Sequence, residues 1–207
     1  GINFYKNYKK IGKSGLLGGC GLGVAMISFI YSITNTTAAI TLLCLAAMPF
    51  FTALLAFLFL KERITFNVWI SIILATIGII IMALGNTEKS SVIGFIFGIT
   101  SSIGFSVFSV TLRWRKETPK FTTVAIAGLF CFIIATVMIL SKNQPFFATS
   151  FNSSMFSLHG TLVCLGLILY SIGSKAIPAA ELTLLSLTEV IGGIFWVWLP
   201  LFGINEV

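Results

Sequence analysis

Seven runs of mostly apolar residues, at 16–33, 38–60, 67–84, 91–112, 121–140, 156–173 and 179–202, follow one another with only short polar connections. Each is close to the roughly 20 residues that a helix needs to cross about 30 Å of hydrocarbon. The runs do not alternate polar with apolar residues as a membrane-spanning β-strand would, and the stretch from Ile70 to Leu84 is almost unbroken, so the spans are helices and not barrel strands. The sequence therefore predicts an all-α, polytopic transmembrane bundle with seven spans. Only 9% of residues are charged, against about 25% in soluble domains.

The formal charge of +7 raises the question of a nucleic-acid partner, and its placement answers it. Threading seven spans through a bilayer puts Lys6, Lys9, Lys10, Lys13, Lys61, Arg63, Arg113, Arg115, Lys116, Lys120 and Lys175 on one side and leaves Lys89 and Lys142 on the other. This is the positive-inside distribution, so the basic residues anchor the topology and no nucleic acid is expected. It predicts a cytoplasmic N-terminal end, an outer C-terminal end and residence in the cell (inner) membrane.

Against this apolar background one carboxylate stands out. Glu189 lies near the centre of the run from Ala180 to Leu201, where an acidic residue costs about 2.5–3.5 kcal/mol on insertion scales and usually faces a polar cavity or a partner. Pro49 lies midway along the second run, where it removes a helical hydrogen bond and kinks the backbone. A kink there exposes a carbonyl, and Pro49 and Glu189 are expected at similar depth. Thr41, Ser186, Tyr31 and Tyr170 add hydroxyls that could meet a solute. Glycines 15, 19 and 23, and the series Gly94, Gly98, Ser102, Ser106, repeat every four residues as helix-packing seams. Cys20, Cys44, Cys131 and Cys164 lack metal-ligand spacing and read as packing residues. His159 reads as interfacial at the mouth of the sixth span. Glu62 and Arg63 read as a latch at one helix end, with Glu206 at another. Gly12-Lys13-Ser14 lacks the leading glycine of a phosphate loop and precedes a membrane span, so no nucleotide or other cofactor is expected.

The sequence also repeats itself. Tyr31-Ser32-Ile33 returns as Tyr170-Ser171-Ile172, and Thr41-Leu42-Leu43-Cys44-Leu45 as Thr183-Leu184-Leu185-Ser186-Leu187. An odd number of spans separates the copies, so they face opposite sides of the membrane. Inverted repeats give a carrier two nearly equivalent states, open to either side.

These residues resemble a known family. The stretch from Ala38 through Pro49 to Leu60-Lys61-Glu62-Arg63, with Gly78 near the end of the next span, is similar to the EamA-type repeat of the drug/metabolite transporter superfamily. The stretch from Leu187-Thr188-Glu189-Val190 through Trp196 and Trp198 to Gly203-Ile204-Asn205-Glu206 resembles the matching part of the second repeat, with Val190 where many relatives have proline. The resemblance implies a ten-helix carrier of two inverted five-helix repeats. This chain would supply the third to ninth helices, with residues 1–87 ending the first repeat and 88–207 forming the second without its last span.

The function implied is a secondary transporter, moving small metabolites or drug-like solutes by alternating access, of the export, amino-acid or metabolite class. Its partners would be a small-molecule substrate, the lipid bilayer and a coupling proton or other ion, with a homodimer left open. The alternatives are a seven-helix receptor and an intramembrane lipid-modifying enzyme. A receptor would thread in the opposite sense. An enzyme would need clustered acid, base or metal-binding groups at one depth, which the sequence does not offer.

Overall fold

The computed structural model describes residues 4–62, 65–85, 91–114, 120–143, 145–146 and 149–198. Arg63 and Glu206, read above as helix-end charges, lie outside the described residues. Among the described residues eight α-helices are formed: α1 (Phe4–Asn35), α2 (Ala38–Leu45), α3 (Met48–Leu55), α4 (Phe66–Gly85), α5 (Val92–Trp114), α6 (Lys120–Ser141), α7 (Ser150–Gly173) and α8 (Ala179–Trp198). No strand occurs among the described residues. Five segments there are long and apolar enough to cross a membrane, including 11–35 and the combined stretch 38–60. Helices α4 and α8, of 20 residues each, coincide with the other two expected spans.

The boundaries differ from the sequence expectation in three informative places. Helix α1 begins earlier and bends at Gly12, whose φ of 55° is open to glycine at little cost. The second span is not one kinked helix but two, separated by a turn at Ala46 and Ala47, and α3 then widens into a π-helical turn at Ala56–Leu60. Helix α7 starts at Ser150, not near 156, although its first turns are rich in serine. Those hydroxyls bond back to their own helix, Ser154 to the Phe151 carbonyl at 2.7 Å and Ser157 to the Ser153 carbonyl at 2.9 Å. Polar side chains satisfied in this way need no water. His159 therefore lies nine residues inside a helix instead of at its mouth.

Helix directions follow from paired contacts. Ser102 bonds the Cys44 carbonyl and Ser106 the Met48 carbonyl, each across 58 positions, so α2 and α3 run parallel to α5. Ser109 to Tyr170 and Arg113 to Ser174 each span 61 positions, which makes α7 parallel to α5 as well. Helix α1 runs the other way, because Ser32 meets Gly94 while Ala25 meets Ser101. Helix α6 runs with α1: Tyr31 meets Met138 and Gly23 meets Cys131. Helix α8 is antiparallel to α2 and α3, with Leu42 against Gly193 at one end and Ala53 and Ala56 against Ala180 and Ala179 at the other.

Of the small-residue seams, Gly19 and Gly23 pack against Ile126 and Phe130 of α6 and Gly98 against Cys44 of α2, while a further pair, Gly21 and Gly104, sets the spacing at the centre. A Cβ on Gly104 would lie 2.7 Å from the Gly21 carbonyl oxygen and 3.0 Å from the Ala25 nitrogen, so α1 and α5 touch backbone to backbone. Lipid offers little hydrophobic drive between helices, and close packing of this kind replaces it. Around Leu22, Phe108, Leu112, Val124 and Ala127 the three helices α1, α5 and α6 form the main buried cluster.

Candidate functional site

The backbone of the second span is interrupted at its middle, between α2 and α3. Pro49 has no N–H, so the Leu45 carbonyl loses its helical donor. The chain turns instead, with Ala47 N donating to the Cys44 carbonyl at 3.1 Å and Phe50 N to the Ala47 carbonyl at 3.1 Å. Irregular backbone at membrane depth is tolerated only where protein or a cavity receives its polar groups. Here α5 receives them: Ser102 Oγ donates to the Cys44 carbonyl above the turn and Ser106 Oγ to the Met48 carbonyl, 3.1 Å away, below it. Pro49 itself is buried. Thr52, one turn further on, is fully buried, and its hydroxyl has no hydrogen-bond partner among the described residues. The Met48 carbonyl, four residues back, instead accepts from Ser106.

Helix α8 lies alongside this break. With Leu42 against Gly193 and Ala53 beside Ala180, the antiparallel register sets Glu189 level with Leu45 and Ala46, about one turn from Pro49. Its neighbour Val190 is buried, while Glu189 is exposed on the described surface. Thus the lone mid-span carboxylate and the interrupted backbone share one depth on adjacent, oppositely directed helices.

The remaining sequence candidates distribute around this centre. Thr41 is fully buried; its hydroxyl lies 2.9 Å from Ser32 Oγ and 3.2 Å from the Thr37 carbonyl, and Ser32 Oγ lies 2.8 Å from the Gly94 carbonyl, so two hydroxyl protons are shared among three contacts. This group ties α1, α2 and α5 together. Ser186 is half-buried and bonds the Thr183 carbonyl of its own helix at 2.7 Å. Tyr31 stacks on Phe97 near the start of α5, with its hydroxyl 3.3 Å from Met138 Sδ. Tyr170 packs on Phe105 and Phe108 and meets Ser109 at 2.6 Å near the end of α5. The two tyrosines therefore stand toward opposite ends of the same helix.

Two features escaped the sequence reading. The serines of the Gly94 seam do more than pack, since they cap the broken helix; the shared spacing of four residues between Ser102 and Ser106 and between Cys44 and Met48 was the available signal. Arg113, taken only as a topological anchor, bonds Glu62 Oε1 through Nε at 2.7 Å and the Ile177 and Ser174 carbonyls through Nη1 at 2.7 and 3.3 Å. The helix-end latch expected of Glu62 is made to α5. His159 lines an apolar cleft of about 330 Å³ between α6 and α7, floored by Met26. No cluster of metal-ligating side chains occurs among the described residues.

Apolar spans of this number, packed through small residues around an interrupted helix, define an integral membrane protein of polytopic helical type. Residues 2–84 match the EamA-like transporter family, which bears out the family resemblance of the first part of the chain. Two proteins of Helicobacter pylori, from strains J99 and 26695 and each named "Uncharacterized transporter", are 24% identical to it over 183 residues. The match covers 84% of this chain and 60% of each relative, so the chain spans about three fifths of the length of the curated relatives it matches. No solved structure matches it.

Proposed function

We propose that the protein is a secondary carrier, moving a small metabolite or drug-like solute across the membrane by alternating access between two inverted repeats, residues 1–87 and 88–207. The direction proposed is export, of an amino-acid- or metabolite-class solute, with a proton or other ion as the coupling partner. The observation that carries this reading is the meeting of α2–α3 and α8 at one depth. There an interrupted backbone and a mid-span carboxylate face the same level from opposite directions, an arrangement that secondary transporters use to hold solutes and ions. Glu189 would bind the coupling ion or a cationic group of the solute. Pro49 would keep the backbone open beside it, and Thr41, Ser186, Tyr31 and Tyr170 would shape the path. Antiparallel α3 and α8, and tyrosines toward opposite ends of α5, support two mirror-related halves.

The test is solute flux by the whole protein in sealed vesicles, with Glu189→Gln compared against the parent at equal membrane abundance. Abolished or uncoupled flux is expected. Unchanged flux would remove Glu189 from the mechanism, and no flux of any metabolite by the parent would remove the carrier reading itself.

A further inference from the structure

The geometry points to a second role for Arg113, as the gating residue that holds one end of the bundle shut. This deepens, and rests on, the carrier reading above. Three separate elements meet at its guanidinium: Glu62 from the end of the second span, Arg113 from the last turn of α5, and the carbonyls of Ser174 and Ile177 from the turn joining α7 to α8. A planar guanidinium with several fixed donors suits such a junction, whereas a lysine offers a single point of attachment.

The backbone leading to Glu62 is shaped for this contact. The π-helical turn at Ala56–Leu60 ends on Lys61, which adopts a left-handed φ of 54° that a residue with a side chain takes only at a cost. Glu62 N then bonds back to the Ala56 carbonyl at 3.3 Å, leaving its carboxylate on Arg113. π-Turns and strained residues concentrate where a structure has work to do. Just inside the junction Ala56, Val110 and Ala179 pack into a buried cluster with Leu55 and Leu60, so this end is sealed by small residues and then fastened by charge.

The other end is different. Ala179, Ala180, Leu182 and Thr183 of α8 are buried at the Arg113 end, while Ile191, Gly192 and Phe195 toward the far end are exposed. The bundle is thus closed at the fastened end, whereas beyond Glu189 helix α8 keeps Leu42 against Gly193 but buries only Val190 among its described residues. In a carrier, solute release at the fastened end requires α8 to part from α3, and that motion separates Glu62 from the Ser174 and Ile177 carbonyls, so the bridge through Arg113 must break on one side. Both charged side chains keep 20–24% of their surface exposed, so water can receive them once they separate. The junction is a latch that can be undone.

Cysteine accessibility in the full protein tests this. In a background with Cys20, Cys44, Cys131 and Cys164 replaced by alanine, Ala179→Cys reports the fastened end and Gly192→Cys the far end. A water-soluble maleimide is applied to reconstituted protein. Glu62→Ala, which removes one of the three contacts, is expected to raise labelling at position 179 by roughly fivefold or more, the lower range of coupling between distant sites, and to lower labelling at 192. Arg113→Lys should lie between it and the parent. Labelling that rises at both positions would mean a general staple of the fold and overturn the gate, as would no change at 179. Flux measured on the same samples separates the two proposals. Reciprocal labelling without flux would leave the latch standing and sink the carrier, and flux with unchanged labelling would do the opposite.

Discussion

Ser106 on α5 reaches the carbonyl of Met48, 3.1 Å away, at the point where the second span restarts after its turn, sharing its one hydroxyl proton with the Ser102 carbonyl of its own helix at 2.7 Å. With Ser102 on the Cys44 carbonyl, it makes an interrupted helix tolerable at a depth where water is scarce. An unpaired polar group there costs several kcal/mol, so the break and the serines belong to one device.

Replacing both serines by alanine should therefore destabilise the protein by about 2 kcal/mol, at about 1 kcal/mol per hydrogen bond. Thermal unfolding in detergent should show a Tm lower by roughly 4–8 °C. A double variant as stable as the parent would mean that the two carbonyls are satisfied in another way.

Pro49→Ala restores an N–H and lets α2 run into α3. Stability should hold or rise slightly, because a continuous helix gains a backbone bond, while flux through the whole protein should fall about tenfold or more, a barrier increase of about 1.4 kcal/mol. Paired measurements of Tm and vesicle flux decide it; parent-like flux would make the break a packing feature.

Two glycine substitutions should have opposite signs. Gly104→Ala forces a Cβ to within 2.7 Å of the Gly21 carbonyl oxygen, and neither backbone can yield without parting α1 from α5. A loss of about 2–3 kcal/mol is expected, as for overpacked cores. At Gly128 an added Cβ meets nothing within 4 Å, so alanine should gain about 0.5–1 kcal/mol from helix propensity. Unfolding midpoints of the two variants give the comparison directly.

The tyrosines should also separate. Tyr170→Phe strands Ser109, now 2.6 Å from the phenol, at a cost of about 1 kcal/mol. Tyr31→Phe loses only a contact to a thioether sulfur, a weak acceptor, and should change Tm far less. Equal effects would contradict the assignment.

Much of the architecture was legible because hydrocarbon punishes polar backbone, which leaves long apolar runs as a plain signature of spanning helices. Charge then supplied the expected threading, which the alternating helix directions accommodate. What escaped was local. The turn at Ala46 and Ala47 is written in residues that favour helix, and it exists because Pro49 and two distant serines act together. Ser150 to Met155 looked like a loop, since sequence does not reveal that a hydroxyl will bond its own helix. Arg113 carried a topological signal strong enough to mask its structural one, and only the fold brings Glu62 and Ile177 to the same guanidinium. Glu189 was conspicuous from the start, yet its level with the broken helix depends on the register of α8, which no short-range pattern encodes.

The widened turn at Ala56–Leu60 gives α3 one residue of slack above the Arg113 junction. That slack lies between the Pro49 break and Glu62, so the last turn of the span meets Arg113 in a different rotation from the one an unbroken α-helix of the same length would give it.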